Sequence, residues 1–320
     1  MANVNINAAE IASTRYNEQE SDVAAPAPGY FSIYLKEGGL YWIDDAGVVA
    51  GPLGSYFAPS GRLTLTTATP VTTADVSAAE TLYYTPYTGN MISLFDGARW
   101  IPVVYTEKSL ALGALTASKP YDIFGYLSSG TLALEALVWT NGTTRATALA
   151  YQDGRLVKSG ATTRLYLGTI YINSSGGQTD DSITKRNVWN YYNRVPRRGY
   201  KTESTNHTYT TGSFRPWNND ATQIIEFVTG VIEDANVVAL TCDMYGSATV
   251  TAYTGVGYNV TNDSLSAAAT QGVKTTVAQR VNVAAFHLPT SVGLGYYSAL
   301  EFGATTCTFS SMWMTILVRA

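Results

Sequence analysis

Short apolar runs separated by glycine-containing turns recur between residues 81 and 200, and they restrict the folds open to this chain. The turn signals lie at residues 95–97, 128–130, 139–142 and 152–154, which read Phe-Asp-Gly, Ser-Ser-Gly, Trp-Thr-Asn-Gly and Gln-Asp-Gly. Asn-Gly and Asp-Gly supply the positive φ angles that two-residue hairpin turns require. Alternating apolar residues flank these turns, so the pattern predicts antiparallel β-hairpins.

The composition favours the same fold class. Only 14% of the residues are charged, compared with about 25% in a typical soluble domain. The chain instead has 28 Gly and 23 Tyr, together with many Thr, Ser and Asn. β-Sheets with tight turns accept this mixture, whereas the exposed faces of helical bundles need Lys, Glu and Arg. We therefore predict an all-β protein.

Charge and hydropathy argue against several functional classes. With a formal net charge of −4, the chain is not expected to present the positively charged surface that attracts nucleic acid. No apolar run reaches the roughly 18 residues of a membrane span, and the first residues do not resemble a secretory signal. We therefore expect neither nucleic-acid binding nor membrane insertion.

Catalytic and metal-binding motifs are also missing from the sequence. Two Cys and two His are too few for a disulfide framework or a Cys-based zinc site. Sequence-adjacent acids on a strand point to opposite faces, so none of the pairs 44–45, 180–181 and 233–234 is expected to form a catalytic couple by itself. Each pair is expected to lie in a turn or a cap instead. We predict no catalytic residues, no metal, no cofactor and no enzymatic activity.

Changes in composition divide the chain into five predicted segments. Residues 1–29 end in an Ala-Pro-rich stretch and are predicted to form an extended attachment arm. Residues 30–55 are predicted as a β-hairpin module, and the Thr-rich residues 56–80 as a connector or as strands shared with another chain. Residues 81–200 form a predicted β-rich middle domain. Residues 201–320 form a predicted C-terminal domain, so that two antiparallel β-sandwich or jelly-roll-like domains follow the hairpin.

The hairpin module has a specific consequence. Strands are predicted at residues 30–35 and 40–43, joined by a turn at 36–39 and followed by a short strand at 48–49. About 25 residues are too few to hold a core of their own. The module therefore needs a neighbour, either the rest of the chain or its copies in an oligomer.

Two regions further along the chain carry other expectations. Residues 180–195 fit a helix or a strand equally well, whereas the closing apolar run 312–318 is predicted to lie inside a sheet. The basic run at 194–201 is expected to be a solvated interdomain linker, with contact to an acidic neighbouring subunit as the functional alternative.

An ordered series of motifs resembles the structural proteins of tailed-bacteriophage virions. The motifs occupy residues 28–47, 87–90, 94–97, 120–124, 139–147, 152–154, 158–164 and 189–194. They span residues 28 to about 198, more than half of the chain. The resemblance implies a virion protein, a tail-fibre, head-fibre or spike component that forms a homotrimer. It also implies folding in a reducing host cytoplasm, which favours free thiols at Cys242 and Cys307 over a disulfide bond.

From the resemblance and the coreless hairpin we predict a fibre or spike component attached to the particle through its N-terminus. Its β-domains are predicted to project outward for contact with the host surface. The predicted partners are copies of itself, other virion proteins of the tail, portal or capsid, and a host surface glycan. One alternative is a capsid decoration or head-fibre protein that stabilises the shell. The other, a polysaccharide-degrading tailspike, is disfavoured because such enzymes usually need a long right-handed β-helix.

Aromatic residues in a chain short of charge predict contact surfaces, since Tyr and Trp provide large, stiff areas that stack on sugars and fill protein interfaces. A surface loop near residue 215 is predicted to contact a glycan or a protein partner through Arg215, Trp217, Asn218 and Asn219. The hairpin module is predicted to anchor the chain through Tyr30, Tyr34, Tyr41 and Trp42.

Overall fold

The computed structural model describes residues 18–36, 39–53, 57–246, 252–265, 269–272, 279–303 and 306–320. Almost all regular structure in these ranges is β-strand, and the exception is a single 3-10 turn at Trp217–Asn219. The predicted all-β fold class is confirmed. Residues 1–17 of the predicted arm lie outside the described residues.

The first four strands pair with one another in a small sheet, which we call the amino-terminal sheet. Its strands are β1 (Glu18–Gln19), β2 (Phe31–Lys36), β3 (Gly39–Asp44) and β4 (Val49–Leu53). Strand β1 runs parallel to β2, whereas β2, β3 and β4 pair antiparallel in that order. The predicted hairpin and the short strand after it are therefore confirmed.

The next part of the chain folds into many short strands joined by tight turns. These strands are β5 (Gly61–Thr64), β6 (Val76–Ala79), β7 (Thr81–Pro86), β8 (Met91–Phe95), β9 (Trp100–Val104), β10 (Lys108–Ala111), β11 (Lys119–Ser128), β12 (Thr131–Val138), β13 (Leu149–Gln152), β14 (Arg155–Lys158), β15 (Ala161–Ile172), β16 (Thr179–Ser182), β17 (Lys185–Arg186) and β18 (Val188–Asn190).

Two of the predicted turn signals form two-residue hairpin turns. Between β11 and β12, Ser129 and Gly130 have φ angles of 47° and 77°. Between β13 and β14, Asp153 and Gly154 have φ angles of 50° and 77°. Positive φ at both positions matches the right-handed twist of the flanking strands, which is why these dipeptides set the register of both hairpins.

The central sheet of this part has two middle strands, β11 and β15, that are largely buried on both faces. Its order is β12-β11-β15-β14-β13, with β18 beside β15, and the sheets β10-β7-β5 and β8-β9 contribute to the same core. On β11, Ile123 belongs to that core, whereas its neighbour Phe124 belongs to the core of the following domain. Since successive side chains point to opposite faces, a strand covered on both sides needs a continuous apolar run.

The last part of the chain supplies two large sheets. Its strands are β19 (Pro196–Glu203), β20 (His207–Tyr209), β21 (Arg215–Pro216), β22 (Ile224–Thr229), β23 (Asn236–Gly246), β24 (Ala252–Tyr258), β25 (Ala269–Gly272), β26 (Gln279–His287), β27 (Gly293–Gly303) and β28 (Cys307–Arg319). One sheet has the order β25-β24-β27-β22-β17-β16-β6 with β21 beside β27, and the other has the order β19-β28-β23-β26 with β20 beside β28.

Apolar side chains from both sheets form one core between them, as in a β-sandwich. Phe227 of β22 and Tyr297 of β27 come from the first sheet, while Leu240 of β23 and Met314 of β28 come from the second. Strand β28 lies between β19 and β23. The prediction that the closing apolar run lies inside a sheet is confirmed.

The segment boundaries of the structure differ from those predicted. Strand β5, in the predicted connector, pairs with β7 of the same chain, and its four residues are buried. Strands β16 and β17, in the predicted middle domain, join the sheet of the C-terminal sandwich. The ambiguous residues 180–195 include β17, β18 and most of β16, and they contain no helix.

Arg62 shows why the Thr-rich segment belongs to the folded body. Arg62 is 3% exposed, and its guanidinium donates hydrogen bonds to the backbone oxygens of Pro70, Asn193 and Ala320. Burial, followed by the nearby positive charge of Arg197, lowers the pKa of Arg62 to about 10. The buried cation is stabilised by backbone dipoles from three distant parts of the chain, which fixes this segment in place.

Candidate functional site

The amino-terminal sheet has two unlike faces because its side chains alternate across β2 and β3. On the inner face, Tyr34 and Tyr41 stand opposite each other with ring centroids 5.8 Å apart. Both are buried, as is Ile43, and Val23 packs against the three. This cluster is a small core separate from the two larger ones.

An ion pair closes the edge of the inner face. The Asp22 carboxylate accepts hydrogen bonds from the Tyr34 hydroxyl at 2.6 Å and from Lys36 Nζ at 2.5 Å. The hydrogen bond from Lys36 holds the pKa of Asp22 below its usual value. The inner face thus has its apolar groups covered and its charge paired.

The outer face lacks such a cover. Phe31 is 65% exposed and Ile33 51% exposed, and Ile33 pairs across the strands with Trp42. Together with Tyr30 they line an open hollow of about 490 Å³, whose remaining wall is Asp44, Asp45 and Gly29. We call this site the aromatic hollow. A contiguous exposed apolar surface on so small a sheet is typical of an interaction site.

The structure therefore divides the four predicted anchoring residues into two pairs. Tyr30 and Trp42 line the aromatic hollow, while Tyr34 and Tyr41 hold the inner face together. Sequence reasoning missed Phe31 and Ile33, although their position two residues apart on a strand already places them on one face.

The predicted contact loop near residue 215 is more buried than expected. Arg215 lies over the ring of Tyr209, and the Trp217 indole, predicted to be a surface contact, has no exposed area. Asn218 and Asn219 have φ angles of 54° and 53°, in the left-handed region that Asn tolerates better than most residues. These angles turn the chain so that Trp217 points into the core.

The buried Glu301 holds this loop against β27. Its carboxylate, which has no exposed surface, accepts a hydrogen bond from Arg215 Nε at 2.7 Å and is paired with His207 Nε2. The His207 ring lies against Trp217 and stacks on Phe309. No sequence signal indicated this cluster, because His207 and Glu301 are 94 residues apart.

The two histidines are expected to affect stability in opposite directions. Burial lowers the pKa of His207, but its hydrogen bonds to Glu301 and the Thr205 carbonyl outweigh this, so the pKa is raised. The stabilisation from His207 is therefore complete below the unfolded pKa of about 6.5 and is lost as pH rises through the folded value. Burial lowers the pKa of His287, so its stabilisation is lost as pH falls below about 6.5.

Urea unfolding between about pH 5.5 and 8.5 tests this pair. In the wild type, the free energy of unfolding should decline on both sides of this range. His207→Gln should remove part of the decline at alkaline pH and leave the decline at acid pH unchanged. His287→Gln should remove part of the decline at acid pH and leave the decline at alkaline pH unchanged. An alkaline decline identical in the wild type and in His207→Gln would contradict the assignment.

Cys242 and Cys307 are both buried free thiols, and burial raises the pKa of Cys307 to about 11. No cluster of three or more His, Cys, Asp or Glu able to hold a metal ion occurs in the described part of the chain. Within the same ranges, no helix has the length and apolar character needed to cross a membrane.

Comparisons with known proteins give only distant likenesses. No family model matches the sequence, and no curated protein matches it. Among solved structures, infectious bursal disease virus, Gx strain, aligns at 9% identity over 78% of this chain and 73% of the other, with a TM-score of 0.28. An arabinoxylan arabinofuranohydrolase of glycoside hydrolase family 43 from Bacillus subtilis aligns at 10% identity over 88% and 78%, with a TM-score of 0.23. TM-scores this low carry no argument about function.

Proposed function

We propose that this chain is a structural protein of a tailed-bacteriophage virion, a fibre or spike component attached to the particle through its amino-terminal sheet. The observation that carries the proposal is the aromatic hollow. Phe31 and Ile33 expose more than half of their surface, on a sheet whose strands pair only with one another among the described residues. Such a face is stabilised when another protein surface covers it.

The parts of the chain that follow the amino-terminal sheet, with their two larger cores, are proposed to project from the particle and to contact the host surface, where a glycan is the proposed receptor. We also propose that the chain acts as a homotrimer. A second exposed apolar row supports this: Leu317 and Phe286 flank Val237 in neighbouring strands and are 40% and 82% exposed. Association of copies would remove this row from water.

The attachment proposal is tested by replacing two outer-face residues together, Phe31→Ser and Trp42→Ser. Particles assembled with this variant should contain about tenfold less of the protein than wild-type particles, since an interface that loses about 1.4 kcal/mol binds tenfold more weakly. Quantitative mass spectrometry of purified particles measures both this ratio and the copy number.

Val104→Ser on β9 is the matched control, because Val104 is 66% exposed and lies outside the amino-terminal sheet. Normal incorporation of the Phe31→Ser/Trp42→Ser variant, with its soluble body intact, would refute attachment through this face. The copy number separates the alternatives, since a capsid decoration protein is present in far more copies than a fibre.

A further inference from the structure

The aromatic hollow combines apolar walls with two carboxylates, and this combination specifies a partner. Resting on the proposed attachment function, we infer that the hollow receives a Lys or Arg side chain from a basic, partly apolar segment of another virion protein. The charged head lies against Asp44 and Asp45, and its methylene stem lies along Trp42 and Ile33.

The walls suit such a side chain. Trp42 and Phe31 offer aromatic surface to a cation, and an ammonium or guanidinium group placed over an aromatic ring is attracted by about 0.5–2 kcal/mol. Lys and Arg also bury their stems along apolar surface while the head remains polar. The hollow, of about 490 Å³, has room for one such side chain and its apolar neighbours.

The carboxylates are fixed in position without a cation. Asp44 Oδ1 accepts a hydrogen bond from the Val48 backbone N–H at 2.7 Å, and Asp45 Oδ2 accepts one from the Gly29 backbone N–H at 2.6 Å. No Lys or Arg among the described residues forms a salt bridge with either acid. By contrast, Asp22 on the inner face is paired with Lys36.

Covering the hollow with a purely apolar partner would be unfavourable. Such a partner would remove Asp44 and Asp45 from water and leave their charges without compensation, which costs several kcal/mol per buried ion. A partner cation turns this cost into a charge-assisted hydrogen bond. The apolar walls and the acids therefore favour the same type of occupant.

The charge distribution of the chain agrees with a basic partner. Residues 18–53 contain six acidic side chains and one basic side chain, for a formal charge of −5, although the whole chain carries only −4. The acidity of the protein is thus concentrated in the segment that bears the hollow. A field of this sign also accelerates encounter with a basic surface.

Two of the four basic side chains in the chain's own run at 194–201 are already paired with acids of the same chain. Arg194 forms salt bridges with Glu233 and Asp234, and Arg197 forms one with Asp181. These ion pairs lie within the folded body. A second copy therefore offers neither Arg194 nor Arg197 to the hollow.

A matched pair of tripeptides tests the inference with the full-length protein. The probes are acetyl-Leu-Arg-Leu-amide and the same peptide with citrulline, the neutral analogue of Arg, in the middle. NMR titration that follows the Trp42 indole N–H should show saturable binding of the Arg peptide, about tenfold stronger than that of the citrulline peptide, which corresponds to about 1.4 kcal/mol. High salt should reduce this ratio.

In the double variant Asp44→Asn/Asp45→Asn, the ratio of the affinities for the Arg peptide and the citrulline peptide should be close to one. Asparagine keeps an oxygen that accepts the hydrogen bonds from Val48 and Gly29, so the hairpin geometry is retained. Equal binding of the two peptides to the wild type, or binding of neither, would overturn the inference. The inference would also be overturned if the protein self-associated through this face and the double variant abolished that self-association, because the occupant of the hollow would then be a second copy.

Incorporation into particles separates this inference from the proposed function. Asp44→Asn/Asp45→Asn should reduce incorporation about tenfold, in proportion to its lost affinity. If this variant is incorporated normally while Phe31→Ser/Trp42→Ser is not, attachment through the hollow stands and recognition of a cation is refuted. If both variants are incorporated normally, the attachment function itself is refuted.

Discussion

Replacing Glu301 with alanine is expected to lower the free energy of unfolding by about 3 kcal/mol, within the range measured when one partner of a buried ion pair is removed. The Glu301 carboxylate has no exposed surface and is the shared acceptor of Arg215 and His207. Its loss leaves both groups without their partner and also leaves a cavity beside β21. Urea unfolding at pH 7 measures the change.

Glu226→Ala is the matched control in the neighbouring strand β22. Glu226 forms a longer salt bridge, in which its Oε2 lies 3.7 Å from Lys185 Nζ and the lysine side chain is 45% exposed. Such exposed pairs contribute about 0–1 kcal/mol to stability. Glu301→Gln should recover part of the loss, because its amide oxygen still accepts from Arg215. Equal losses for the two alanine variants would show that Glu301 is not the residue that holds this loop.

The fold class and several hairpins were predictable because their signals are local. The dipeptides Ser129-Gly130 and Asp153-Gly154 place a glycine at a turn position that requires positive φ, and the structure has both turns where the sequence indicates them. The amino-terminal hairpin follows from the same reasoning, since its strands and turn lie within about 20 residues. Local backbone chemistry decides such elements, whatever the rest of the chain does.

The segment boundaries and the contact loop depended on distant residues. Leu63 in the predicted connector packs into the core of the middle part, and the side chain of Asn190, 127 residues away, hydrogen-bonds its backbone there. Trp217 was expected at the surface, but His207 and Phe309 enclose its ring. Contacts between residues so far apart in the sequence produce no local pattern, so the burial of Leu63 and Trp217 could not be predicted.

The candidate site was partly predictable. Strand alternation alone separates Trp42 from Tyr41 and therefore implies two faces for the hairpin. It does not show which face is covered by the chain itself. That depends on Val23, which packs against Tyr34 and Tyr41 and so leaves the face of Trp42 open.

A second large effect is expected from Arg145→Met, which should lower the free energy of unfolding by about 3–5 kcal/mol. Arg145 Nε donates to Asp122 Oδ2 at 2.7 Å, and its Nη2 donates to the Gly230 carbonyl at 2.7 Å. The guanidinium thereby links the central sheet to the loop after β22, and it also lies 4.4 Å from the ring centroid of Trp139. The substitution leaves the Asp122 carboxylate, which is 1% exposed, without its cation.

The pH dependence and a double variant distinguish an uncompensated Asp122 charge from a simple loss of packing as the cause of the instability of Arg145→Met. Burial raises the pKa of Asp122 even beside Arg145, and removing the cation raises it further. The folded state of Arg145→Met then favours the protonated acid, so the deficit of this variant should grow as pH rises from about 5 to 8. Adding Asp122→Asn removes the buried charge and should restore more than half of the lost stability. Urea unfolding of both variants across this range measures the coupling. Lys158→Met is the control, because its acid Glu135 is less buried than Asp122 and keeps a second cation, Arg164. A deficit that is independent of pH and unaffected by Asp122→Asn would show that Arg145 acts through packing alone.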